Sequence, residues 1–208
     1  MSRPNRRRAV RAVAPVAGLL AAGLLVWQGS YAAFTATTVN PGNAWAAGTV
    51  SLTDDDGGGA TAGTAMFSTA AVTPAGATDT KALKPGDTKI NCIKVTNNGT
   101  LAGPVKVYVA PTTFSQTNAL GDNLKVTIEE GTGSGAFGSC TGFTGTAIAT
   151  AVNLSAIPTL FSGGYGSAGN LAVGASRVYR ITTVVDTGAP NSVQGGSAAA
   201  AFQWEIQA

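Results

Sequence analysis

Two hydrophobic patterns divide the chain. Near the N-terminus, Pro15 to Trp27 (PVAGLLAAGLLVW) is an unbroken apolar run. Beyond residue 44, apolar and polar residues alternate in short stretches separated by Gly, Pro, Asn and Asp. Period-two alternation bounded by turn residues predicts half-buried antiparallel strands. The cleanest case is Pro104 to Ala110 (PVKVYVA), with Val105, Val107 and Val109 on one face and Lys106 and Tyr108 on the other. Leu124 to Glu129 repeats it, with Leu124, Val126 and Ile128 inward. Lys89 to Thr96 (KINCIKVT) and Arg177 to Asp186 (RVYRITTVVD) predict two more strands. In Ala198 to Ile206, residues Ala200, Phe202, Trp204 and Ile206 share a face. Ala46 to Thr53 places Val50 and Leu52 together, and Thr64 to Val72 is a further, less regular strand.

Turn chemistry supplies the boundaries. Leu83 to Thr88 carries Pro85 and Gly86 where a type II turn needs them, and Asn97-Asn98-Gly99 predicts a hairpin or tight turn. Gly131 to Gly145 and Gly163 to Gly169 are Gly-rich loops, and Gly188 to Asn191 is a turn. Ala147 to Phe161 is ambiguous; Pro158 opposes a long helix, so a strand and one short helical turn are expected. Leu83-x-x-Gly86-x-Thr88 and Leu171-x-x-Gly174-x-Ser176 are two similar turns feeding strands. Eight or so short strands without a long helix predict an all-β fold, an antiparallel β-sandwich spanning 44–208.

The N-terminal pattern is different in kind. Arg3, Arg6, Arg7, Arg8 and Arg11 precede the apolar run, and Ser30, Tyr31, Ala32 and Ala33 follow it. A basic region, an apolar core and a small-residue exit describe a secretory signal peptide over 1–32, cut between Ala32 and Ala33. The run falls short of the roughly 20 residues that span a bilayer, although an uncleaved anchor is the alternative. Arg7-Arg8 is a weak match to a twin-arginine signal. Thirteen basic residues less the five before the cut leave eight, against ten acids, so the mature chain is slightly acidic. That removes any charge argument for binding nucleic acid or an anionic membrane. Residues 33–43 then form an arm, of which Ala33, Phe34, Thr35, Ala36, Thr37, Thr38 and Val39 are uncharged and β-prone.

Cys92 and Cys140 are the only cysteines, and in an exported chain they are expected to pair, with two free buried thiols as the alternative. The chain has no histidine, which excludes a histidine zinc site, a Ser-His-Asp triad and a Cys-His dyad. Glu129 and Glu130 are adjacent on a strand, so they face opposite sides and cannot flank one substrate. Asp54-Asp55-Asp56-Gly57 is a turn by composition and lacks the alternating spacing of a calcium loop. Trp45 and Trp204 are assigned to core packing rather than to a sugar platform. No enzyme, metal or cofactor is expected.

Several segments together resemble the TasA/camelysin family of exported bacterial matrix proteins processed by a dedicated (SipW-type) signal peptidase. They are Tyr31-Ala32-Ala33-Phe34 followed by Ala46-Ala47-Gly48-Thr49-Val50-Ser51-Leu52, Lys84-Pro85-Gly86-Asp87 leading to Val95-Thr96-Asn97-Asn98-Gly99-Thr100-Leu101, Leu171 to Thr182, and Phe202-Gln203-Trp204-Glu205. The last two resemble actinobacterial forms. The resemblance implies a jelly-roll-like sandwich that polymerises into extracellular fibres, the arm of one subunit completing a sheet of its neighbour. It implies as partners further copies of the chain, a signal peptidase, and other matrix proteins or cell-wall components. The metallopeptidase label carried by some members finds no histidine ligand here. The chain stops just after a strand, so covalent wall anchoring is not expected. The competing expectation is a monomeric secreted sandwich that binds a glycan or a surface protein.

Overall fold

The computed structural model describes residues 46–57 and 63–208; the signal segment, its cleavage junction, the arm and Trp45 lie outside them. The described strands are β1 (Leu52–Asp54), β2 (Phe67–Ser68), β3 (Thr78–Asp79), β4 (Thr88–Asn97), β5 (Gly103–Val109) and β6 (Ser115–Gln116). They continue as β7 (Leu124–Gly133), β8 (Phe143–Asn153), β9 (Asn170–Leu171), β10 (Ser176–Val185), β11 (Ala198–Ala199) and β12 (Phe202–Ile206). Helical structure among the described residues is confined to single 3-10 turns at Leu154–Ala156, Phe161–Gly163 and Asn191–Val193. The fold is all-β.

Four long strands carry the first sheet, which is antiparallel in the order β1-β4-β10-β7-β8. A second sheet runs β12-β5-β9, again antiparallel. Two small pairs stand apart from these sheets: β6 with β11 antiparallel, and β2 with β3 parallel, with β3 beside β4. Alternation decides which residues are buried. Ile93 and Val95 of β4, Tyr179 and Ile181 of β10, and Val126 and Ile128 of β7 meet Val105, Val107 and Val109 of β5 and Ile206 of β12 in one core. Each such side chain taken fully out of water contributes roughly 1.5–3 kcal/mol. The sandwich-like arrangement follows from two sheets, each apolar on one face.

The two similar turns behave as a pair. Gly86 and Gly174 both have positive φ, 87° and 73°, a conformation that glycine adopts without a Cβ penalty. They open β4 and β10, which are antiparallel neighbours with Ser176 opposite Thr96.

Several expected elements differ. Ala46 to Thr53 yields only β1, shifted to Leu52–Asp54, and Val50 is exposed. Thr64 to Val72 shortens to β2, because Ser68 and the small residues after it present little to bury. Asn97-Asn98-Gly99 does not make a hairpin: β4 and β5 belong to different sheets, and the turn carries the chain between layers. There Asn97 is fully buried, its amide donating to Leu101 O and Leu171 O while its Oδ1 accepts from Gly99 N. The Gly131–Gly145 loop is smaller than expected, since β7 runs to Gly133 and β8 starts at Phe143. The C-terminal strand breaks at Ala200-Ala201 into β11 and β12.

Candidate assembly site

Three features of the surface bear on what the domain can join: a capped sheet edge, an open sheet edge and a groove. The capped edge belongs to β4, which β1 covers only at residues 95–97. Beyond that the main chain is satisfied by other groups. Thr78 Oγ1 donates to Ile90 O at 2.9 Å, Asn91 Oδ1 accepts from Cys92 N at 2.7 Å, and Gly138 N donates to Cys92 O at 3.3 Å. Lys94 N donates to Asp55 Oδ1 at 2.8 Å. Asp55 then uses Oδ2 to accept from Phe137 N at 3.0 Å, so one carboxylate ties the edge to the β7–β8 connection.

Cys92 and Cys140 form a disulfide with their Cα atoms 5.3 Å apart. Because Cys92 alternates with the core residues Ile93 and Asn91's neighbour Ile181, it points to the outer face of the sheet, opposite Arg180. The bond therefore fastens residues 134–142 across that outer face, where Gly135 closes on Val178, which is 2 % exposed. The three aspartates divide their work. Asp55 turns to the edge, while Asp54 and Asp56 turn toward each other. Burial, then the hydrogen bond and charge of Asp56, lift the Asp54 carboxyl from 3.8 to about 7.

Glu129 and Glu130 do face opposite sides. Glu129 lies outward and forms a two-pronged hydrogen bond with Arg180, which also stacks over Phe143 at 4.8 Å. Glu130 lies inward, 3.1 Å from Arg177 Nη1 as an ion pair, and accepts from Tyr179 Oη and Ser167 N. Burial first, then the Glu130 charge, push the Tyr179 hydroxyl pKa upward. Trp204 packs against Tyr179 with ring centroids 5.7 Å apart, in the core-facing position expected of it. These charges are engaged with one another and tie neighbouring strands of the sheet together.

The groove, about 620 Å³, opens between Ala65, Phe67 and Thr69 on one wall and residues 197–200 and Phe202 on another. Leu83, Leu120, Leu124, Leu154, Val185 and Val193 give it an apolar floor, and among the described residues Lys81 is its single charged lining residue. Beside it β11 is two residues long and, among the described residues, pairs on one side only, with β6. Phe67 and Phe202 were legible as strand residues, but the groove joins turns far apart in sequence and no local pattern announced it.

The open edge is β8. Among the described residues it pairs with β7 alone, and Thr144, Gly145, Thr146 and Ala147 are exposed on both faces. From Phe143 to Ala147 its register with β7 is continuous; beyond, the register shifts on either side of Ile128 and Ala151 takes a positive φ of 49°. No model of a known protein family matches the chain, and no curated protein matches it.

Proposed function

We propose that the chain is a secreted structural subunit that polymerises into extracellular matrix fibres, the arm 33–43 of one copy seating in the groove of the next. The observation that carries this reading is the groove itself. It is long on apolar contacts, nearly uncharged, and flanked by β11, a strand fragment paired on one side only. An extended segment such as AFTATTV suits that lining, since it is uncharged and sets Phe34, Ala36 and Thr38 on one face when extended. Strand addition supplies main-chain hydrogen bonds, and alternate side chains fill pockets. The resemblance noted in the sequence and the signal-like N-terminus support export and assembly. The Leu and Val residues of its floor favour an apolar or weakly polar strand, while Ser115, Thr183, Asn191 and Gln194 supply hydrogen-bonding groups at its sides.

The reading is tested by titrating a peptide of residues 33–43 onto chain lacking them and following methyl and aromatic NMR signals. Shifts concentrated at Phe67, Leu124, Val185 and Phe202 are expected. Unchanged signals at those four positions would remove the groove from the account and return weight to a monomeric binding module.

A further inference from the structure

The edge of β8 is finished in a way that invites a strand. Natural sheet edges are guarded with charge, proline, bulges or covering segments, because unpaired main-chain groups template pairing. Between Phe143 and Ala147 this edge has none of them among the described residues. The sequence FTGTA contains no charge and no proline, the register with β7 is regular, and no hydrogen bond from outside β7 reaches the strand between Thr144 and Thr150 among the described residues. The bulged part of β8 begins only at Ile148, which confines the unguarded stretch to these five residues.

The same stretch is matched to itself. Thr144-Gly145-Thr146 reads identically in both directions, so antiparallel pairing about a two-fold axis at Gly145 sets Thr144 of one copy opposite Thr146 of the other. Cross-strand threonine pairs are favourable and like charges in the same places are not. Electrostatics leave the approach free, because Glu129 and Glu130 behind the edge are neutralised by Arg180 and Arg177. A closed two-fold contact uses one patch on both subunits, as this one does.

We propose that the β8 edge is a second assembly surface, pairing antiparallel with β8 of another copy and joining subunits side by side. In its fibre form it rests on the proposed arm-mediated polymerisation: a five-residue contact is small for two free subunits but repeats along a filament, where linked contacts reinforce one another. The arm sets the length of a filament, and β8 sets whether two filaments lie together.

The test uses the chain from Ala33 with two paired sets of exposed substitutions, Thr144→Lys with Thr146→Lys and Thr144→Glu with Thr146→Glu, each checked for unchanged melting. Electron microscopy scores paired against single filaments, and light scattering at high concentration scores dimers against monomers where no filaments form. Wild-type chain is expected to give paired filaments, or dimers if the arm does not polymerise. Each variant alone gives single filaments, or half the scattering mass, and mixing the Lys and Glu variants restores pairing. Wild-type chain that never pairs, variants that pair as it does, or a mixture that stays unpaired would each overturn the proposal. Loss of filament length in all samples would instead strike the arm reading and leave this one standing on the dimer readout.

Discussion

Along β4, Thr78, Asn91, Gly138 and Asp55 each engage a main-chain group that no strand covers, and a disulfide fastens the segment that supplies Gly138. Along β8, five consecutive residues at the opposite edge of the same sheet carry no such cover among the described residues. One sheet thus has one edge closed by side chains and one left for pairing. Guarding an edge needs polar residues at chosen distances in sequence, and leaving it open needs their absence. The chain does both within one sheet. Under the proposed edge pairing, growth would be confined to the β8 side of this sheet.

The largest effect is expected at the disulfide. Replacing Cys92 and Cys140 by alanine removes a cross-link over a separation of 48 residues and is expected to cost about 4 kcal/mol on the chain-entropy account, read as a lower denaturation midpoint. In the same variant, hydrogen exchange at the Lys94 amide and at residues 136–138 should rise more than exchange in the middle of β10. Uniform acceleration would mean that the bond acts only on the unfolded chain.

Asp55→Ala comes next. It strips partners from Lys94 N and Phe137 N, and charge-assisted bonds of this kind contribute roughly 1.5–3 kcal/mol each before relaxation. A loss of about 2 kcal/mol is expected, with Asp55→Asn intermediate because one oxygen still accepts. A neutral result in thermal melting would show that water replaces the carboxylate without loss.

A smaller effect belongs to pH. Asp54 has its folded pKa raised from 3.8 to about 7, so between those values the folded chain holds more protons than the unfolded one. Stability from this group is complete below about pH 4 and declines as pH rises through about 7. Asp54→Asn should flatten that part of the profile in melts taken at pH 4, 5.5 and 7, and a slope that persists in the variant would assign it to another group. The least effect on folding is expected at the open edge: Thr146→Lys there should change stability by no more than about 0.5 kcal/mol, since the side chain is exposed and bonds nothing. A larger loss in a denaturant melt would mean that β8 is covered.

The long strands were legible because alternation and burial agree. Val105, Val107 and Val109 face the core as the pattern demanded, and the paired turns at Gly86 and Gly174 open neighbouring strands. The cysteine pair was legible from its number taken together with the expected export. What alternation could not convey is where a strand stops pairing. Gly131 and Gly133 look like loop residues, yet they remain in β7, because glycine's missing side chain lets β8 approach closely there: a Cβ on Gly131 would fall 2.0 Å from Thr144 O. Asp55 was hidden for a related reason. Three identical residues in a row share one composition, and only tertiary contact decides that the middle one meets Lys94 and Phe137 while its neighbours turn toward each other. The groove likewise depends on Ala65, Leu124 and Ala198 converging from distant parts of the chain.

The measurement closest to the central claim is negative-stain electron microscopy of chain Ala33–Ala208, its N-terminus confirmed by intact mass, beside the same chain lacking residues 33–43. The account predicts filaments from the first that lengthen over days, and none from the second. Uniform small particles from both, at the same concentration and with the disulfide intact, would contradict it.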